Sequence, residues 1–335
     1  MKILTCTAPG LFNYGEVEKP LLTSGKSILK IKRIGVCGTD IHAYEGTQPY
    51  FTYPRILGHE LGCEFVEGDA EGFISGEKVT FIPYFHCGKC IACRQHYTNC
   101  CQNIQVAGVH TDGGMTEYLS VPTHSLVHGK DLELDSLALI EPLAVSAHGI
   151  RRAAVKMGEY VLIIGAGPIG IGAMKFASIA GAKVIAMDVN THRLTFCQQK
   201  LHVDHVIQAQ GVHVYEQIQE ITLGDMPTVV IDATGSQKAI QNAFQYMAHT
   251  GRYVLIGLQK GDISFSHPEF HKREATLMSS RNATREDFEY VISCIRKKWI
   301  DPQTLITHRI AFGQVKDEFL NVVRSETVIK AMIEL

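Results

Sequence analysis

The sequence predicts an α/β protein in two parts: a β-rich domain carrying metal-binding loops, and a domain built on a doubly wound parallel sheet. Three observations predict it. Short β-branched runs separated by glycines fill roughly the first 145 residues. After Glu141 the pattern changes to strand, helix, strand alternation, which requires crossover helices and so a parallel sheet. The run HCGKCIACRQHYTNCC spaces Cys87, Cys90, Cys93 and Cys101 as Cys-x2-Cys-x2-Cys-x7-Cys, a density of thiols suited to one zinc ion.

Taken in order, residues 27–34 (SILKIKRI), 61–67 (LGCEFVE) and 77–82 (EKVTFI) read as strands, punctuated by glycines at 25, 35, 68, 72 and 76. Residues 161–164 form a continuous apolar strand. Small and apolar residues then recur at helical spacing over 170–180, and 183–187 is the next strand. Strands follow at 228–232 and 252–257 with a helix over 236–247 between them. Residues 328–335 read as a last strand that returns to the first domain.

Bulk properties exclude several classes. A chain of 335 residues exceeds one ordinary core and suits two domains. Lys and Arg number 32 against 34 Asp and Glu, so no basic footprint marks a nucleic-acid or anionic-membrane partner. The opening stretch MKILTCTAPGLFNYGEVEKP has no apolar core of signal-peptide length. The longest apolar run, 160–174, is short for a membrane span and is broken by Gly165, Gly167, Pro168, Gly170 and Gly172. A cytoplasmic protein with reduced, metal-binding thiols is expected.

Gly165, Gly167 and Gly170 form Gly-x-Gly-x-x-Gly directly after a strand and at the mouth of a helix, with Pro168 and Ile169 inside the turn. Such glycines permit a tight turn, close approach of a pyrophosphate and close helix–sheet packing, as in a Rossmann dinucleotide site. Asp188 ends the next strand, where an acid that hydrogen-bonds the adenosine ribose belongs. Its charge would repel a 2′-phosphate, and Val189 and Asn190 offer no cation to offset this. NAD is therefore expected over NADP, with Arg193 as the nearby cation of the candidate cofactor residues.

The cysteine run leaves no vacancy for substrate when closed on zinc, so its expected role is to hold a loop rigid; Cys100 and Cys101 both qualify as its fourth donor. A second donor set is spread over Gly-Val-Cys37-Gly-Thr-Asp, Gly-His59-Glu60 and Glu141-Pro-Leu-Ala. Four protein donors would close that shell, so one of the two carboxylates must be loose. A zinc ion there would act as a Lewis acid on an alcohol oxygen. Thr39 is placed to relay the hydroxyl proton, Asp40 to accept from the free nitrogen of His59, and His42 to extend the relay.

These segments resemble the zinc-containing medium-chain dehydrogenase/reductases over essentially the whole chain, through GVCGTDIH, LGHE, the cysteine run, DGGMTEYLSVP, EPLAVSAH and VLIIGAGPIG. The resemblance implies a GroES-like catalytic domain over 1–147 and 287–335, with a Rossmann domain over 148–286. It implies catalytic zinc at Cys37, His59 and Glu60 or Glu141, structural zinc at Cys87, Cys90, Cys93 and Cys101, and a homo-oligomer. Glu141 stands where alcohol dehydrogenases of the family often carry a second cysteine ligand, which is similar to the polyol, threonine and sugar-acid branches. The stretches GTQPYFTYPRILGHE, AGVHTDGGMTEYLSVP, LIEPLAVSAHGIRRAA and FSHPEFHKREATLMSSRNAT resemble the bacterial L-galactonate oxidoreductases of the sugar-acid branch. That likeness implies a small-molecule sugar acid or polyol as substrate. The carboxylate of a sugar acid needs a cation, for which Arg281 is the candidate, ahead of Arg151, Lys272 and Arg273.

Overall fold

The computed structural model describes residues 1–48 and 51–335; Pro49 and Tyr50, inside the GTQPYFTYPRILGHE stretch, lie outside the described residues. The chain forms two compact units, Met1–Glu141 with Asn282–Leu335, and Pro142–Arg281.

The first unit is built on a seven-stranded sheet. Its spatial order is Leu126–His128, Lys78–Phe81, Glu60–Gly68, Lys26–Gly35, Lys330–Glu334 and Ile306–Ala311, with Tyr118–Pro122 also paired to Lys26–Gly35. The Lys26–Gly35 strand is central. It runs antiparallel to Glu60–Gly68 on one side and to the C-terminal Lys330–Glu334 strand on the other. The expected return of the chain end to the first domain is thus a sheet pairing. Leu4, Leu29, Ile31, Ile34, Phe65 and Phe81 belong to one buried cluster with Ile310 and Ile333 from the chain end, so both segments of the unit share one core. Burying side chains of this size contributes about 1.5–3 kcal/mol each.

The second unit holds a six-stranded, fully parallel sheet. Its strands in chain order are Tyr160–Ile164, Lys183–Asp188, His205–Gln208, Val229–Asp232, Arg252–Leu255 and Thr276–Ser279, and in space they stand 3-2-1-4-5-6. That is the Rossmann order, whose switch point lies beside the first strand. The Tyr160–Ile164 strand is buried on both faces, which is why its sequence is a continuous apolar run rather than an alternation.

Two expectations shift. The units part after Glu141 and after Arg281, not after 147 and 286. At the second junction the physical reason is visible: the Arg285 guanidinium donates to the carbonyls of His124 (2.7 Å) and Leu126 (3.2 Å), tying the start of the Arg285–Arg296 helix to the first unit. The helix expected over 236–247 runs only over Gln237–Ala243, then tightens into a 3-10 turn at Phe244–Tyr246. No helix among the described residues is long and apolar enough to cross a membrane.

Candidate active site and metal centres

Cys37, His59 and Glu60 offer ligand atoms that all lie within 4.8 Å of one another. Sheet register assembles them. Cys37 follows the central strand and precedes the Gly38–Tyr44 helix, while Glu60 opens the neighbouring strand directly opposite Gly35. A Cβ at position 35 would collide with the Glu60 carboxylate, so glycine there is what leaves room for it. Asp40 fixes the backbone of both ligand segments. Its Oδ2 accepts from the Cys37 N–H (2.9 Å) and its Oδ1 from the Gly58 N–H (3.1 Å).

This corrects the expected role of Asp40. His59 Nδ1 stands 3.9 Å from Asp40 Oδ1, beyond hydrogen-bond reach, and the hydrogen bonds the carboxylate does accept come from two backbone donors. Thr39 is half-buried on the same helix. His42 is exposed and its Nδ1 pairs with Thr47 Oγ1 at 3.0 Å.

Two residues that sequence reading missed complete this site. Lys330, buried in the C-terminal strand, forms an ion pair with Glu60; its Nζ donates to Glu60 Oε1 (2.7 Å) and to the Val36 carbonyl (2.9 Å). Tyr84, also buried, donates its hydroxyl to Glu141 Oε1. The available signals were a single lysine inside the apolar run VIKAMI, and a tyrosine three residues before the cysteine run.

The electrostatics of this set favour positive charge. Burial opposes charge on His59, yet Cys37, which hydrogen-bonds it, together with Asp40 and Glu141, holds it well above the ordinary histidine value. Burial likewise opposes the Lys330 ammonium, and Glu60, Cys37 and Glu141 more than offset it, raising its pKa. Glu141 is pushed up to about 7, chiefly by burial and further by Glu60, while His59 pulls it down. The three candidate donors are gathered around one point, with all their ligand atoms within 4.8 Å of one another, and Glu60 carries the Lys330 ammonium. A thiol, an imidazole and a carboxylate converging in this way suit a divalent ion of zinc's borderline softness.

The second donor set is Cys87, Cys90, Cys93 and Cys101, again with all ligand atoms within 4.8 Å of one another. Cys90 Sγ lies 3.4 Å from Cys93 Sγ and 3.9 Å from Cys101 Sγ. Cys100 is exposed, so the geometry selects Cys101 as the fourth donor. Backbone N–H groups of Cys87 and Asn103 each approach Cys101 Sγ at 3.3 Å. Those of Lys89 and Cys90 lower Cys87 to about 6, whereas burial and the adjoining Cys90 and Cys101 thiols push Cys93 up to about 12. Four sulfurs this close do not all carry charge without a cation between them. The loop is tied down by Asn282 Nδ2, which donates to the Asn99 carbonyl at 3.2 Å.

In the second unit the glycine-rich turn has the form of a phosphate cradle. Gly165 has φ of +101°, a conformation that favours glycine, and a Cβ at Gly170 would strike the Gly165 carbonyl. Gly167 caps the Pro168–Ile179 helix, and a Cβ there would meet no protein atom, so close approach of a ligand is its remaining rationale. Pro168 is the first helical residue and Ile169 follows it. Asp188 accepts from the Ala166 N–H (2.5 Å) and the Asn190 N–H (2.7 Å), pinning the turn to the second strand. Arg193 is half-buried one helical turn further on, and its Nε is buried without a hydrogen-bond partner. Arg281 is exposed and ends the unit.

Fold and donor sets together define a zinc-dependent dehydrogenase. Residues 23–131 match the alcohol dehydrogenase GroES-like domain and residues 168–297 the zinc-binding dehydrogenase family. The chain belongs to this zinc-type alcohol dehydrogenase family and is an oxidoreductase. It is 40% identical to an L-galactonate-5-dehydrogenase of Escherichia coli K12, covering 99% of this chain and 98% of that protein. It is 32% identical to a sorbitol dehydrogenase of Halalkalibacterium halodurans, covering 99% of each chain. Among solved structures, an alcohol dehydrogenase (rspB) of E. coli CFT073 complexed with NADH superposes with a TM-score of 0.93. It is 28% identical, with 100% of this chain and 99% of that one covered.

Proposed function

We propose that this protein oxidises a secondary hydroxyl of a sugar acid with NAD, with L-galactonate to D-tagaturonate as the leading reaction. What carries this reading is the whole-length likeness to an L-galactonate-5-dehydrogenase, joined to a donor set in which a carboxylate, Glu60, and not a second cysteine, accompanies Cys37 and His59. Cys37, His59 and Glu60 are assigned to catalytic zinc, and Cys87, Cys90, Cys93 and Cys101 to structural zinc. Bound zinc supplies a Lewis acid for the substrate oxygen and NAD supplies the hydride acceptor.

The chain's own residues do the remaining work. Thr39 relays the hydroxyl proton, accepting it as its own hydroxyl proton passes on toward solvent while the alcohol carbon loses hydride, so that alcohol and NAD⁺ give ketone, NADH and a proton. Asp40 holds the backbone of Cys37 and Gly58 in place, which keeps the donors preorganised. Lys330 neutralises Glu60. The turn from Gly165 to Gly170 cradles the pyrophosphate, and Asp188 is the ribose partner that favours NAD. Reduced thiols at both metal sets support a cytoplasmic setting, and a homo-oligomer is the proposed assembly.

The sorbitol dehydrogenase likeness supports a polyol reading as the alternative, and the same zinc chemistry serves an L-threonine 3-dehydrogenase. The test is NADH formation by zinc-replete protein with L-galactonate, D-sorbitol, galactitol and L-threonine in parallel. Preference for L-galactonate supports the sugar-acid assignment; preference for a neutral polyol or threonine removes it. Arg281 is the proposed partner of the substrate carboxylate. Arg281→Ala is expected to raise KM for the sugar acid roughly tenfold or more and leave KM for NAD unchanged; equal KM values for the sugar acid would reject that role.

A further inference from the structure

Two buried carboxylates face one donor set, and they are held differently. Glu60 lies within the set, opposite Gly35, with its carboxylate paired to the Lys330 ammonium. Glu141 sits near enough to act electrostatically on His59 but is not among the three residues whose ligand atoms converge. Its Oε1 is engaged by the Tyr84 hydroxyl. Tyr84 stands on the short Tyr84–Phe85 strand, which pairs with Gln105–Val106 across the cysteine loop, so its ring is carried by a rigid element. It is 5% exposed, as is Glu141, and water does not compete freely for this bond.

A catalytic zinc site keeps one position open, whereas cysteine, histidine and two glutamates would fill all four. We propose that Tyr84 is a positioning residue: its hydroxyl holds Glu141 back from Cys37, His59 and Glu60, and so keeps a place for the substrate oxygen. This rests on the assignment of catalytic zinc to Cys37, His59 and Glu60. It extends that assignment by naming the residue that decides which carboxylate stays out. Tyrosine suits the task because its hydroxyl donates to a carboxylate without adding a charge to the pocket.

The test uses cobalt(II) in place of zinc in the full-length protein, since its visible absorption reports donor number and type. Subtracting the spectrum of Cys37→Ser isolates this site from the four-cysteine loop. Glu141→Gln alone is expected to leave the cobalt bands in place, because Glu141 is not a donor at rest. Tyr84→Phe is expected to shift them as Glu141 joins the metal, to slow cobalt release to dipicolinate about tenfold, and to lower kcat with KM for NAD unchanged. Tyr84→Phe with Glu141→Gln is expected to return the wild-type bands and release rate.

A Glu141→Gln spectrum that differs from wild type would overturn the proposal, because Glu141 would then already be a donor. So would a Tyr84→Phe spectrum identical to wild type, or a double variant that keeps the shift. If Cys37→Ser removes no cobalt signal at all, the metal assignment itself fails, and the proposal with it. Far-ultraviolet circular dichroism of each variant separates these outcomes from loss of fold.

Discussion

The two donor sets of the first unit are built on opposite plans. The four-cysteine loop is contiguous in sequence, holds only thiols, and draws its stabilising donors from backbone N–H groups at Cys87, Lys89, Cys90 and Asn103. The Cys37, His59 and Glu60 set is gathered from two segments at the ends of neighbouring strands, mixes three donor types, and has a buried ammonium, Lys330, bonded to one of its ligands. A closed thiolate shell has nothing left to exchange and serves the fold. A set whose carboxylate is shared with Lys330, beside a second carboxylate held by Tyr84, has donors in reserve and serves chemistry.

Removing a donor from each set breaks the comparison most sharply. Cys37→Ser is expected to lower kcat/KM about 10⁴-fold, or ~5.4 kcal/mol, while zinc content falls from about two ions per chain to about one and Tm changes little. Cys93→Ser is expected to lose the other zinc and to lower Tm by roughly 10 °C. Zinc analysis beside thermal melts separates the two.

Lys330→Met leaves Glu60 buried without its countercharge. In metal-free protein this is expected to cost about 3–5 kcal/mol, and Glu60→Gln in the same chain to recover most of it. Zinc should shrink the effect, because the metal replaces the ammonium as the partner of Glu60. Denaturant unfolding with and without zinc measures both.

Asp188→Ala removes the proposed ribose partner and the acceptor for Ala166. It is expected to raise KM for NAD about tenfold, or ~1.4 kcal/mol, and to narrow the preference over NADP. Steady-state kinetics with both cofactors checks it.

The smallest expected effect concerns a carboxylate outside both donor sets. Burial raises the pKa of Asp135, but hydrogen bonds from Arg309 (2.6 Å) and Arg33 (2.7 Å) prevail and hold it below the ordinary value. A carboxylate whose folded pKa is depressed stabilises above its unfolded value, near ~3.9, and loses that contribution as pH falls through the folded value. Asp135→Asn is therefore expected to cost about 1 kcal/mol at neutral pH and progressively less as pH falls through the folded value. Melts across that range would show the two curves converging.

The contrast also explains what was legible in the sequence. The cysteine run and the glycine-rich turn are local, since every residue they need lies within a few positions, and the structure brings each together. The strands at 27–34, 61–67, 161–164 and 183–187 follow from apolar runs and lie within Lys26–Gly35, Glu60–Gly68, Tyr160–Ile164 and Lys183–Asp188. Lys330 meets Glu60 across 270 positions, through the pairing of three strands, and no periodicity announces that register. Tyr84 depends likewise on where the Ile140–Ala153 helix begins. Asp40 was misread for a related reason: its two backbone partners are set by loop closure at Gly58, which spacing alone does not reveal.

Stepwise zinc removal tests the division of labour between the two sets most directly. Dipicolinate would be titrated against the zinc-replete protein while zinc release, NADH formation with L-galactonate and circular dichroism are followed together. Activity is expected to vanish as the first zinc leaves, with the fold intact, and the fold to weaken only with the second. Full activity after one zinc has gone, or unfolding in step with the first release, would contradict the assignment of chemistry to Cys37, His59 and Glu60 and of scaffolding to the cysteine loop.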